Sequence, residues 1–225
     1  MAVELVAGTT LCEPGEPFEY AYFPVTGLIS LVALTSDHSP LGMAIIGSEG
    51  LLGGTLAVGT EMPWLRGMVH GSGTALRVSV VQMQRLLRAG PGLLDAMQRF
   101  TYVLIGQLLQ TAACNSFHGV EMRLARWLLM TDDRVAPADG IHLTHQMLAD
   151  LLGVQRSAVT IAAGKLQRKK IIGYSRGHVK ILSRAGLEAR SCECYAKQLR
   201  DHARQLGRDC SQNSVDALAG PGKPQ

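Results

Sequence analysis

Arg156, Ser157 and Thr160 carry side chains suited to reading the edges of nucleic-acid bases. At helical spacing they share one face, opposite an inward stripe of Val159, Ala162 or Ala163, and Leu166. A guanidinium bonds bidentately to guanine O6 and N7. Ser and Thr hydroxyls serve either kind of base, and the Thr methyl suits a thymine. Lys165, Arg168, Lys169 and Lys170 lie farther along, followed by Arg176, His178 and Lys180, with Gly177 permitting close backbone approach. These groups suit phosphate, as do Thr144 and Gln155 at the entries to the two helices involved. Between Gln155 and Lys180 the chain has seven Lys or Arg residues and no acid. A charge run alone is an ordinary solvated face, so the elements that position it decide its meaning.

Those elements begin with HQMLADLLGVQRSAVTIAAGKL, residues 145–166. Ala149 is small enough for a second helix to approach, Gly153 can take the positive φ that turns the chain, and Val159 fills the wedge between the helices. Leu148, Leu152 and Val154 complete an apolar seam. This is a helix-turn-helix pattern, whose second helix enters the DNA major groove. An αα-corner buried in a core has the same Ala and Gly requirements. The neighbours favour DNA. Thr144 is placed to cap the first helix, Ile141-His142-Leu143 is β-like, and two alternating runs (Ile171–Tyr174 and Val179–Leu182) flank Ser175-Arg176-Gly177-His178 as a wing.

Upstream, residues 1–80 alternate short apolar runs with turn-forming clusters. The runs are EYAYF (19–23), LISLVAL (28–34), LGMAII (41–46), RGMVH (66–70) and TALRV (74–78). They predict an antiparallel β-roll of the jelly-roll kind. EGLLGG suggests a short helical turn within it, and Met83–Arg88 a brief helix. From Leu93 to Phe117 the pattern is helical, with Leu94, Met97, Thr101, Leu104, Leu108 and Thr111 stepping by four and three. That seam suits either burial against the chain's own roll or, preferred here, pairing with the same helix of a second subunit. Asn115–Gly119 is the expected hinge. Val120–Thr131 is helical again, Asp132–Gly140 a polar loop, 183–208 helical, and 211–225 a loose tail.

The fold class is therefore α+β: an N-terminal β-roll, a long dimerisation helix and a C-terminal winged helix-turn-helix. The expected divisions are a sensor roll over 1–90, dimerisation helix and hinge over 91–118, DNA-binding domain over 119–190, and C-terminal helix and tail over 191–225. Charge follows the same division. Residues 1–117 hold five arginines and eight carboxylates, a net of −3, which leaves +7 for the rest of a chain whose total is +4. The five cysteines are scattered and odd in number, so no disulfide framework is implied. A signal-peptide pattern and any apolar run of ~18–20 residues are lacking, which points to a cytoplasmic protein without membrane contact.

This order of parts resembles the Crp–Fnr family of bacterial transcription regulators, over roughly residues 10–190 and most specifically over Leu143–Leu182. The resemblance implies a homodimer that places two recognition helices on a palindromic site in double-stranded DNA. It also implies a sensor roll, cyclic-nucleotide-binding-like in form, for a small-molecule effector. Activation would add RNA polymerase as a partner. Arg156 matches the family's base-reading arginine, while Ser157 stands where many members carry a cytosine-reading Glu. The cyclic-nucleotide anchors are missing: Gly53-Gly54 replaces the expected Gly-Glu, Met62-Pro63-Trp64 replaces the phosphate-binding Arg-Ser, and Arg66 is displaced. A signal other than cyclic AMP is expected. No cofactor, metal or catalytic residue is assigned, since His38 and His70 lack the partners of a cupin-like metal triad. Two alternatives remain: a ligand- or partner-binding module without DNA function, and a redox- or metal-responsive regulator acting through Cys192 and Cys194. The C-x-C spacing finds no second pair in the sequence to complete a zinc site.

Overall fold

The structure, a computed structural model, describes residues 1–36, 38–60, 63–135, 141–175 and 177–207. Met62, Pro137, Gly140, Arg176 and the tail therefore lie outside the described residues, and of His38 only the main chain is described.

Seven strands build the roll: β1 (Ala2–Leu5), β2 (Thr10–Cys12), β3 (Tyr20–Pro24), β4 (Leu28–Thr35), β5 (His38–Ile46), β6 (Arg66–Gly71) and β7 (Gly73–Ser79). They form two antiparallel sheets in the orders β1-β7-β3 and β2-β6-β4-β5. A main-chain bridge between Tyr22 and Leu52 ties β3 to the segment ahead of a 3-10 turn at Gly54–Val58. Gly53 caps that turn with φ 105°, a left-handed conformation that favours glycine. Sequence pattern locates β3–β7 but passes over β1 and β2. Those two strands are four and three residues long, and only Leu5 among them is fully buried.

Helix α1 (Val80–Ala89) starts three residues earlier than its periodicity suggests. The β-branched pair Val80-Val81 reads as strand, but the Ser79 hydroxyl accepts from the Gln82 amide and nucleates the turn. Helix α2 (Pro91–Phe117) opens with Pro at its first position, where the missing N–H costs nothing. It runs to Phe117, inside the expected hinge, so the break narrows to His118-Gly119. Then come α3 (Val120–Asp132), β8 (Ile141–His142), α4 (His145–Leu152), α5 (Arg156–Arg168), β9 (Ile172–Ser175), β10 (His178–Ile181), α6 (Arg184–Glu188) and α7 (Glu193–Leu206). The small sheet β8-β10-β9 is the wing.

Among the described residues two large apolar cores form, beside a small cluster of Cys114, Cys192 and Cys194. One fills the roll under Met97 and Phe100 of α2. The other lies among α3, α4 and α5, yet includes Leu28 and Ile45 from the roll. The two units therefore share packing. Gly42 on β5 makes this possible, because a Cβ there would stand 2.7 Å from the Leu151 carbonyl oxygen and 3.0 Å from the Trp127 ring. Close by, Arg134 Nε donates to Glu49 Oε1 at 2.6 Å, and both side chains are buried. The Arg134 guanidinium, helped by His202, outweighs the cost of burial and holds the Glu49 carboxyl below its usual range.

Candidate nucleic-acid interface

The turn between α4 and α5 follows from local chemistry. The Thr144 hydroxyl accepts from the Met147 amide at 3.2 Å and caps α4. Gly153 takes φ 59°, and its amide closes onto the Ala149 and Asp150 carbonyls. Leu148, Leu152, Val159 and Leu166 are buried at the crossing. Helix α5 starts from Gln155, whose side chain makes no capping bond, and its first turn contains no acid.

Arg156, Ser157 and Thr160 are all solvent-exposed on the outer face of α5. Thr160 Oγ1 donates to the Arg156 carbonyl at 3.0 Å and lies 3.0 Å from His145 Nδ1. His145 packs against the Tyr174 ring at 4.4 Å, and Tyr174 donates to the Leu143 carbonyl at 2.7 Å. This chain of contacts fixes the wing against the start of both motif helices. Burial, reinforced by the Arg156 charge, lowers the His145 imidazole from its ordinary range and so favours the neutral ring. Sequence reasoning missed His145 and Tyr174, since neither periodicity nor charge distinguishes them. It also missed Ile161, which is 61% exposed beside Thr160.

Gln155, Arg168, Lys169, Lys170, His178 and Lys180 are exposed. Lys170 adopts φ 55°, an unusual left-handed conformation for a side chain-bearing residue, at the exit from α5. His178 stacks edge-on against His142. The Thr144 hydroxyl accepts in the cap and keeps its O–H to donate, and the exposed Lys165 ammonium lies 3.8 Å from the Glu121 carboxylate on α3. Arg176 is outside the described residues.

The expected dimer seam on α2 requires a correction at two positions. Met97 and Thr111 are each 1% exposed within the single chain, covered by the roll and α7, and cannot offer area to a second copy. Thr101 donates to the Met97 carbonyl, and Leu104 and Leu108 face the roll, with Leu94 half-buried on the same side. The open apolar face of α2 carries Tyr102, Ile105 and Leu109 instead. A 4-3 repeat gives the period of a buried stripe but not its direction, and α2 has a stripe on each side.

In the roll, an apolar cavity of about 120 Å³ is walled by Phe18, Ile46, Leu52, Thr55, Trp64 and Leu108, among others. Among the described lining residues none is charged. Arg66 has turned to Glu13, 2.9 Å away. Cys192 and Cys194 lie at the start of α7, where the fold brings them to Cys114 and His118 of the α2 end.

Residues 122–190 match the Crp-like helix-turn-helix domain family. The Global nitrogen regulator of Nostoc sp. (strain PCC 7120) is 25% identical over 180 residues, covering 76% of this chain and 81% of that protein. FixK2 from Bradyrhizobium japonicum superposes with a TM-score of 0.70 at 18% identity, over 85% of this chain and 97% of that one. A CRP/FNR-family transcriptional regulator from Thermus thermophilus, TTHA1359, gives 0.69 at 20% identity, over 85% and 98%.

Proposed function

We propose that this chain, a member of the Crp–Fnr family of transcription regulators, binds a palindromic operator as a homodimer under a signal other than cyclic AMP. The observation that carries the reading is the outer face of α5. Arg156, Ser157 and Thr160 stand exposed at the helix N-terminus, with no acid in that first turn to neutralise them. Arg156 reads guanine, Ser157 and Thr160 contact adjacent bases, and Ile161 suits a thymine methyl. Arg168, Lys169, Lys170, His178 and Lys180 hold phosphate, and Gln155 assists.

Tyr102, Ile105 and Leu109 form the proposed dimer contact. Two-fold pairing there would set the recognition helices about one DNA turn, ~34 Å, apart. The hinge at His118-Gly119 supports a sensor and dimerisation region ahead of it and a DNA-binding domain over 119–190. The uncharged roll cavity supports an effector that is apolar and small, because a cyclic phosphate would find no charged lining residue among those described. RNA polymerase is the further partner that activation would require.

Selection of bound sequences from random double-stranded DNA tests the reading. A two-fold symmetric site is expected, and Arg156→Ala should weaken it by ~1–3 kcal/mol while relaxing preference at one base per half-site. Equal binding of the selected site by wild type and Arg156→Ala would refute base reading by this arginine.

A further inference from the structure

Cys114 lies in the last turn of α2, and His118 caps that helix with its amide bonded to the Cys114 carbonyl. Cys192 caps α7, and Cys194 lies in its first turn. Packing of α7 along α2 brings the four together: three sulfurs and a His118 ring nitrogen lie within 4.8 Å of one another. Cys114 Sγ is 3.5 Å from Cys192 Sγ, and Cys194 Sγ is 3.5 Å from His118 Nδ1. A tetrahedral ion with bonds of ~2.3 Å to sulfur and ~2.0–2.1 Å to nitrogen spaces its donors about 3.5–3.8 Å apart. A polynuclear iron–sulfur cluster would divide the donors among several irons and hold them farther apart. The spacing fits one ion.

The surroundings fit that ion as well. His118 Nε2 lies 3.2 Å from Glu193 Oε1, the carboxylate contact that orients a ligating imidazole and leaves Nδ1 aimed at the sulfurs. Gln110 Nε2 donates to Cys194 Sγ at 2.9 Å. Arg126 is 1% exposed between α2 and α7, where it donates to Thr111 and Gln198. Among the described residues it has no carboxylate within ion-pair distance. Three thiolates, a neutral imidazole and a divalent ion sum to one negative charge, which is the counter-charge this buried guanidinium lacks. All three cysteines are buried, as in a closed structural site.

We propose that Cys114, His118, Cys192 and Cys194 form a mononuclear, tetrahedral Cys3His site for a zinc-class divalent ion. The pair Cys192-x-Cys194 thus finds its partners 78 residues upstream, in α2, which no spacing rule applied to the sequence would reveal. The site joins the end of α2 to the start of α7 beside the His118-Gly119 hinge. An ion bound there would fix the angle at which the helix-turn-helix leaves α2. That consequence rests on the DNA-binding reading, whereas the site does not.

The experiment uses the full chain, purified under reducing conditions without added chelator. Elemental analysis should find about one zinc per chain. Chelator-stripped, reduced protein titrated with Co2+ should develop tetrahedral d–d bands and near-ultraviolet thiolate charge transfer, saturating near one equivalent and bleached by Zn2+. The double substitution Cys192→Ser/Cys194→Ser should abolish both, and Glu193→Gln should weaken Co2+ binding by roughly 10- to 100-fold. Cys12→Ser should leave both unchanged. Wild-type chain that is folded and reduced, yet holds no zinc and gives no charge-transfer band with Co2+, would overturn the proposal. So would isolation as a Cys114–Cys192 disulfide that takes up no metal after reduction. Zinc retention by a chain that binds no selected DNA supports the site and defeats the DNA-binding reading instead.

Discussion

The recognition helix and the roll cavity place their chemistry on opposite sides of their own surfaces. On α5 the polar groups point out and the first turn contains no acid, while the apolar stripe Val159, Ala162, Ala163 and Leu166 is buried. In the roll, Arg66 is spent on Glu13 and what remains is a cavity walled by apolar side chains. A surface that meets a polyanion must keep uncompensated cations exposed. A cavity for an apolar molecule needs only shape. The first requirement therefore leaves a mark in composition, and the second does not.

The largest effect is expected where the two regions are joined. Glu49→Gln removes the carboxylate that Arg134 Nε donates to and should cost about 3–5 kcal/mol in chemical denaturation. If it proves neutral, the Arg134–Glu49 pair adds nothing to the apolar packing that joins roll and helix-turn-helix.

Acid should act at the same junction. Burial, with the Arg134 charge, depresses His202 from 6.5 to about 4. Its folded value lies below its unfolded one, so the unfolded chain binds more protons. The corresponding stability is complete above pH 6.5 and drains as pH falls to about 4. Glu49, also depressed, loses its contribution below its ordinary value of 4.5. A loss on the order of 2–3 kcal/mol between pH 7 and 4 is expected from His202. His202→Gln should flatten that part of the profile; an unchanged profile would clear His202 of the effect.

A smaller effect should distinguish phosphate contact from base reading. Lys169→Gln should weaken all DNA sequences alike and lower the slope of log affinity against log salt by about 1. A sequence-dependent loss would move Lys169 to the reading face. The smallest effect belongs to the cavity: saturating cyclic AMP should shift neither Tm nor operator affinity. A shift in either would restore a charged nucleotide site to the roll.

Legibility in the sequence follows the same contrast. Thr144, Gly153 and Val159 define the helix-turn-helix because capping, positive φ and close helix approach are local demands met by few residue types. The wing and five of the roll strands are legible from alternation between turn clusters. The phase of α2 is not, because both of its sides are apolar and only packing decides that Met97 and Thr111 turn inward. The Cys3His constellation was half visible in Cys192 and Cys194. Its other half depends on α7 lying along α2, a long-range contact with no local signature.

Gly42 carries one more consequence. Because β5 approaches Leu151 and Trp127 without a side chain between them, Leu28 and Ile45 serve as part of the helix-turn-helix interior. A fragment cut at residue 119 would present the apolar surface those residues cover to water. It should then associate or precipitate at concentrations the whole chain tolerates. The roll is thus a solubilising companion for the DNA-reading part, which is not a portable module.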